Sequence, residues 1–383
     1  MLRILLFSPK GAGEHYYGPG MNAFRMYSSG KPSDVSLTLM HGYRDQKNYD
    51  LFDEQVYISE IENKNVFLGI DFLRKAKKWI KQNAHRFDVV HCLTAFHHSF
   101  MVSIWFEKQG VPVFIKIGQS DHTGFYQNSL FSRVFGLKKY RVNHANDITG
   151  YISISKEIRR KLEHAGIDTH RIHDIPNGVD TDRFSPVHHN EKVDLRKKLG
   201  LRDLFTIIFT GAFSDRKNPY LVAKAFSQFE GVNDSQLLLI GPDTDDGTQR
   251  KNIEALVHDK GLSNVHVLDF VEKIEDYYRA SDLFILPSDQ EGFSNSMLEA
   301  QACGLPAIVT KISGSEDLIT EGKNGSFILR DTQSIIEKMS DYLQDKAMLK
   351  KQSVCASKII NKQYRTKKVL GSYIKLFKGI REV

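Results

Sequence analysis

The sequence predicts an α/β fold of two doubly wound, parallel-sheet domains facing a cleft. Three observations predict it. Short, continuously apolar runs alternate with segments of helical period, as in parallel sheets covered by helices on both faces. The alternation runs twice, with a polar turn around residues 174–180 (Asp-Ile-Pro-Asn-Gly-Val-Asp) between the two series. The chain has 383 residues, enough for two such domains with separate cores.

In the first series the apolar runs are residues 4–7, 35–40, 87–92 (FDVVHC), 111–117 (VPVFIKI) and 150–154. Helical patterns at 73–83 and 156–164 lie between them. In the second series the runs are 205–210 (FTIIFT), 236–240 (QLLLI), 265–268, 283–287 and 306–310. Each leads through a loop to a helical segment, and ligands of such sheets sit at the carboxyl ends of the strands. The closing stretch, 334–383, reads as helix, with Leu370, Ile374 and Phe377 on one face and Lys367, Lys368, Lys375 and Lys378 around it. The expected domains are 1–175, with the helix 364–383 packing back on it, and 176–363.

Composition narrows the function classes. Hydrophobic residues make up 41% and charged residues 26%, ordinary for a globular chain. The net charge of +7, from 53 Lys and Arg against 46 Asp and Glu, suits an anionic partner such as a nucleoside diphosphate, and equally suits plain solubility. Cys92, Cys303 and Cys355 form no CxxC pair, so neither a thiolate metal site nor a disulfide framework is expected. The apolar start, residues 1–7, is too short for a secretory leader, and no run approaches the ~20 apolar residues of a membrane helix. A cytoplasmic protein is expected, with any membrane contact peripheral and at the inner face. Basic residues between Lys75 and Lys81 suit an acceptor near a membrane, and suit a solvated helix face better.

The segment 286–306 (LPSDQEGFSNSMLEAQACGLP) carries the most specific chemistry. A strand ends, a polar loop follows, and a helix opens near Ser294, which with Asn295 is a suitable cap. First-turn amides and the helix dipole make an anion site there. Glu291 stands in the loop and Glu299 about one turn into the helix. Amides that hold phosphate and a carboxylate that accepts from vicinal hydroxyls are what a nucleotide sugar needs. Glu291 and Glu299, seven residues between them, followed by AQACGLP, resemble the E-x7-E signature of the GT-B retaining glycosyltransferases of family 4. That resemblance implies the GT-B architecture of two Rossmann-like domains. It also implies transfer of a hexose-type sugar, with retention, from a UDP- or GDP-sugar to an acceptor hydroxyl in cell-envelope polysaccharide or glycolipid synthesis.

By the same resemblance Glu299 binds the ribose hydroxyls of the donor and Glu291 the donor sugar, while Gly292, Phe293, Ser294, Asn295 and Ser296 meet sugar and phosphate. Residues 211–219 (GAFSDRKNP) resemble the family's glycine-to-lysine element, in which Lys217 binds the donor phosphates after Gly211. Ala212 stands where the family often has arginine, and Arg216 supplies a second cation. Val271, just past the run 265–268, is counted on the donor side. Residues 176–184 (PNGVDTDRF) resemble the family's interdomain element, mainly a turn, with Asn177 near the cleft. The loop 11–20 (GAGEHYYGPG) lacks the third glycine of GxGxxG, since Tyr16 stands there. Gly18 and Gly20 instead let backbone approach a donor phosphate. Where the family has a histidine after the fourth N-terminal strand, this chain has Gly118 or Gln119. Lys116, Asp121 and His122 are the neighbouring candidates, and His91 ends the preceding strand. The N-terminal domain is thereby the acceptor side, taking a saccharide or glycolipid, and no nucleic acid is expected.

No metal and no cofactor is expected. His91, His97 and His98 have no carboxylate or thiol at a matching spacing. Asp180-Thr181-Asp182 and Asp243-Thr244-Asp245 are DxD triplets of the kind that carry a metal in other transferases, the second being suitably placed after a strand. A glycosidase pair is a weaker reading of the two glutamates, since it leaves Lys217 without purpose. An epimerase on the same fold, or a non-catalytic sugar-nucleotide-binding subunit, are the alternatives.

Overall fold

The computed structural model describes residues 1–14, 18–61, 66–118, 137–244 and 247–380. The chain divides into two compact units, Met1–Gly178 with Thr366–Val383, and Val179–Arg365. Residues 176–178 thus go with the first unit, and Tyr364 and Arg365 with the second.

The first unit holds a parallel sheet of order β3-β2-β1-β4-β5-β6-β7. Its strands are β1 (Leu2–Ser8), β2 (Val35–His41), β3 (Glu54–Tyr57), β4 (Val89–Cys92), β5 (Val113–Ile117), β6 (Gly150–Ser153) and β7 (Ile172–Asp174). The central strands are buried along both faces, which is why their sequences are continuous apolar runs rather than alternations. The edge strands β3 and β7 are short and partly polar and give no such run. Among the described helices are α1 (Gly18–Ser28), α2 (Val66–Asn83), α3 (His97–Glu107), α4 (Leu137–Asn143) and α5 (Lys156–His164). The Ser155 hydroxyl caps α5 by accepting from the Ile158 amide at 3.3 Å. Lys75, Lys77, Lys78 and Lys81 of α2 are exposed, the solvated face that the composition allows.

The second unit holds a parallel sheet of order β10-β9-β8-β11-β12-β13. Its strands are β8 (Phe205–Thr210), β9 (Ser235–Ile240), β10 (Val265–Leu268), β11 (Leu283–Leu286), β12 (Ala307–Thr310) and β13 (Gly325–Ile328). The helices are α6 (His189–Lys198), α7 (Pro219–Ser227), α8 (Thr248–Lys260), α9 (Ile274–Ala280), α10 (Asn295–Ala302), α11 (Ser315–Leu318), α12 (Thr332–Gln344) and α13 (Lys346–Gln363). Just before β11 the half-buried Asp282 carboxylate takes Lys192 at 2.9 Å and Arg196 at 2.6 Å, a paired charge cluster that ties α6 to the sheet.

The closing stretch is three helices, with breaks at Asp345, whose side chain caps α13, and at Tyr364 and Arg365. The last, α14 (Thr366–Gly379), belongs to the first unit and packs against α1. Val369, Leu370, Tyr373, Ile374 and Phe377 join β1, β2 and β4 in one core, while Lys367, Lys368, Lys375 and Lys378 stay exposed. This is the amphipathic pattern that the sequence shows.

The Pro-Asn-Gly turn is a crossing between units. Gly178 lies so near α14 that a Cβ there would stand 2.9 Å from the Thr366 Cα. Asp180 accepts from the amides of Asp182 at 3.0 Å and Arg183 at 3.2 Å, and Asp182 pairs with Arg365 at 2.6 Å. The first DxD triplet is therefore occupied as a turn.

Candidate functional site

In a doubly wound sheet the ligand crevice opens at the carboxyl ends of the strands where the strand order reverses. In the second unit that point lies between β8 and β11. The loop after β8 carries Gly211, Arg216 and Lys217, and the loop after β11 carries Glu291 to Ser294. The two segments singled out in the sequence thus come together.

Local rules build each loop. Asn218, in the left-handed region at φ 49°, caps α7 with its side chain, and Pro219 opens the helix. This sends the 211–217 loop back over the sheet, with the Lys217 side chain lying on Gly211. Across the crevice Ser294 caps α10 by accepting from the Met297 amide at 3.3 Å. The Gly292–Phe293 backbone is held from behind by Gly314, at φ +76°. The Phe293 ring packs on Tyr364 with centroids 5.6 Å apart. Arg330 fastens the two loops to each other, donating to the carbonyls of Asp215 and, at 3.2 Å, Pro287.

Charges converge on Glu291. Its Oε1 lies 3.0 Å from Lys217 Nζ and 3.1 Å from Arg216 NH1, and accepts from the Ser288 hydroxyl at 2.9 Å. Arg216 also donates to the Gln290 carbonyl. Burial acts most strongly on the Glu291 carboxyl and acts upward, yet Lys217 and Arg216 together hold it below the usual carboxylate range. The result is two cations and a helix start within one crevice, an arrangement able to take a diphosphate.

Glu299 is half-buried on α10. The hydroxyl of Tyr278 donates to its Oε2 at 3.4 Å and stands 2.6 Å from Thr210 Oγ1 at the end of β8. Val271 follows β10, two strands from β8 on the same edge of the sheet, and is half-buried. Asp243 of the second DxD triplet is engaged by Arg250 at 3.0 Å, and Asp245 lies outside the described residues. Among the described residues no group of three or more His, Cys, Asp or Glu is placed to hold a metal ion.

In the first unit the acceptor-side candidates divide. Asp121 and His122 lie outside the described residues. Lys116 Nζ donates to Asn177 Oδ1 at 2.8 Å, both being buried, and burial lowers the Lys116 ammonium to about 8. His91 is a correction. It is wholly buried, with Nδ1 3.1 Å from the Tyr27 hydroxyl and its ring 4.9 Å from that of Tyr373, so it is a core residue facing no cleft. Gly20 sits close to the chain's own first loop. A Cβ there would stand 2.2 Å from the Gly11 carbonyl oxygen, whereas at Gly18 nothing lies within 4 Å.

Sequence reasoning missed Arg330 and Tyr278. Arg330 follows a strand of four residues, and Tyr278 sits 21 residues from Glu299, so neither stands at a spacing that marks it.

Comparison with known proteins bears on the family and the fold. A family model described as glycosyl transferases group 1 matches residues 191–359, and one described as glycosyltransferase family 4 matches residues 37–183. The chain is 33% identical over 201 residues to the UDP-Gal:alpha-D-GlcNAc-diphosphoundecaprenol alpha-1,3-galactosyltransferase of Escherichia coli, a match covering 51% of each. It is 31% identical over 170 residues to the D-inositol 3-phosphate glycosyltransferase of Xylanimonas cellulosilytica, covering 43% of this chain and 40% of that protein. The chain thus spans about half, or less, of the length of these curated relatives. Among solved structures, Anabaena HepE in complex with UDP matches with a TM-score of 0.80 at 17% identity, covering 99% of this chain and all of that one. Sucrose-phosphate synthase from Thermosynechococcus elongatus matches with 0.80 at 18% identity over all of both chains. At such identities the likeness shows the fold.

Proposed function

Because the chain belongs to the group 1, family 4 glycosyltransferases and has their GT-B fold, we propose that it moves a hexose-type sugar from a nucleoside diphosphate sugar to an acceptor hydroxyl. The observation that carries this reading is the convergence of Lys217 and Arg216 on one carboxylate beside the start of α10. A UDP-sugar is the first choice of donor, in line with the UDP named for the Anabaena structure and the UDP-Gal named for the E. coli relative.

In this reading the diphosphate takes over Lys217 and Arg216 and meets the first-turn amides of α10. Glu299 accepts from the ribose hydroxyls, and Glu291, released from the two cations, faces the sugar. The bond between the anomeric carbon and the diphosphate oxygen breaks, and the acceptor oxygen bonds to that carbon. The acceptor attacks from the face that the diphosphate leaves, so that configuration is retained, and its proton passes to the departing diphosphate. Charge that gathers on the diphosphate is met by two fixed side-chain cations, and the transfer proceeds without a metal. The first unit receives the acceptor, a saccharide or glycolipid of the cell envelope, the class that the diphosphoundecaprenol in the E. coli relative's name exemplifies. No helix among the described residues is long and apolar enough to cross a membrane. The protein acts in the cytoplasm, with peripheral contact to the membrane's inner face.

A panel of UDP-, GDP-, ADP- and dTDP-sugars, assayed for binding and slow hydrolysis with and without EDTA, tests the reading. One donor bound and hydrolysed despite EDTA supports it. Loss of activity in EDTA with rescue by manganese overturns the metal-free part. Glu299→Ala is expected to weaken donor binding about 10–100-fold, and Lys217→Ala to lower turnover about 100–1,000-fold. Near-wild-type kinetics in both variants would sink the assignment.

A further inference from the structure

We infer that Tyr278 is a positioning residue for recognition of the donor's ribose, acting through Glu299. The inference rests on the reading of Glu299 as the ribose-binding carboxylate. Tyr278 lies on α9 and has no exposed surface. Its ring is fixed edge-on between Phe184, at 6.1 Å, and Phe284, at 6.4 Å. The hydroxyl has two polar neighbours, Thr210 Oγ1 at 2.6 Å and Glu299 Oε2 at 3.4 Å.

The direction of these bonds follows from proton counting. A phenol has one proton, and a carboxylate can only accept. Burial, and after it the charge of Glu299, push the Tyr278 hydroxyl well above its ordinary range, so it stays protonated and is the donor to Glu299. Thr210 must then supply the proton of the shorter bond. The chain of bonds runs from Thr210 through Tyr278 to Glu299, and so from the end of β8 to α10 across the switch point.

This arrangement restrains the Glu299 carboxylate from the core side. A glutamate side chain at a half-buried position has several rotamers, and holding it in one costs entropy when a ligand arrives. A phenol anchored in the core restricts the Glu299 carboxylate beforehand. It engages Oε2, and the carboxylate it orients is the group that accepts from a vicinal diol. The 3.4 Å separation is long for a hydrogen bond between oxygens, so the contact has room to shorten as the diol draws the carboxylate into place.

The test is calorimetric titration of the full chain with UDP and with 2′,3′-dideoxy-UDP, for wild type, Tyr278→Phe and Glu299→Ala. Tyr278→Phe keeps the ring and removes only the hydroxyl. It is expected to weaken UDP about 5–10-fold and to leave 2′,3′-dideoxy-UDP within about twofold, because only the former uses the oriented carboxylate. A merely structural role would weaken both nucleotides alike, and that outcome overturns the inference, as does unchanged UDP binding. Glu299→Ala separates the two levels. If it leaves the preference for UDP over the dideoxy analogue intact, the reading of Glu299 fails and this inference with it. If it abolishes the preference while Tyr278→Phe does not alter it, only the role of Tyr278 fails. Thr210→Val, which removes the other end of the chain of bonds, is expected to reproduce the Tyr278→Phe pattern more weakly and stands in should that variant not fold.

Discussion

At the scale of single residues, Lys116 ties stability to pH. Burial lowers its ammonium from the usual 10.5 to about 8. Between those values the unfolded chain binds more protons than the folded one, so this residue makes stability rise as pH climbs from about 8 to about 10.5. Below 8 its desolvation penalty is fully present. Lys116→Met leaves Asn177 without its donor at every pH, but removes the titrating charge. Its stability relative to wild type, from urea denaturation, is therefore expected to be about 1–3 kcal/mol more favourable at pH 7 than at pH 10. A difference independent of pH would show that the lysine is not desolvated. The residues of the second unit's crevice were the legible ones. Lys217, Arg216 and Glu291 stand next to strand ends and a capped helix, and such local context is written in consecutive residues. Burial of His91 is not so written. Its position at the end of an apolar strand fits a cleft residue and a core residue equally, and what decides is the arrival of Tyr373 and Phe377 from the far end of the sequence.

At the scale of elements, the loop after β12 sets the shape of the loop after β11. Gly314 stands at φ +76°, and a Cβ there would meet the Gly292 carbonyl oxygen at 2.4 Å and the Phe293 Cα at 2.9 Å. Both are backbone atoms that cannot rotate aside. Gly314→Ala is expected to cost about 1–3 kcal/mol and to weaken UDP binding about tenfold or more, through displacement of the Gly292–Phe293 segment. Gly322→Ala is the control. It shares a positive φ, +71°, but has nothing within 4 Å, so it is expected to cost about 1–2 kcal/mol in the melting curve without changing UDP binding. The long buried strands and the helix starts were readable because each is a local pattern of burial or capping. The edge strands β3, β7 and β13 were not, being three or four residues long: half-exposure removes the apolar run in β3 and β7, and β13 opens on Gly325-Ser326. The breaks in the closing helices likewise lack proline or glycine, and the one at Asp345 is marked only by that residue's side-chain cap.

At the scale of the whole molecule, α14 completes a core whose strands lie hundreds of residues earlier. Phe377, 1% exposed, lies with its ring 5.5 Å from His91 and 5.4 Å from Phe114. Phe377→Ala is expected to cost about 3–5 kcal/mol in the first unit alone. Hydrogen exchange is the measurement, with protection falling in β1, β2 and β4 and unchanged in β8 to β12. Equal loss in both units would mean that they unfold as one. The same helix imposes an order on biosynthesis. The second unit is one continuous stretch, 179–365, and holds all of its own strands and helices as it emerges. The first unit has its sheet early but waits for 366–379, a delay of roughly 10–40 s at ribosomal rates of about 5–20 residues per second. The domain begun first is thus finished last. Throughout that interval the face around His91 and Phe114 stands uncovered, until translation delivers its lid.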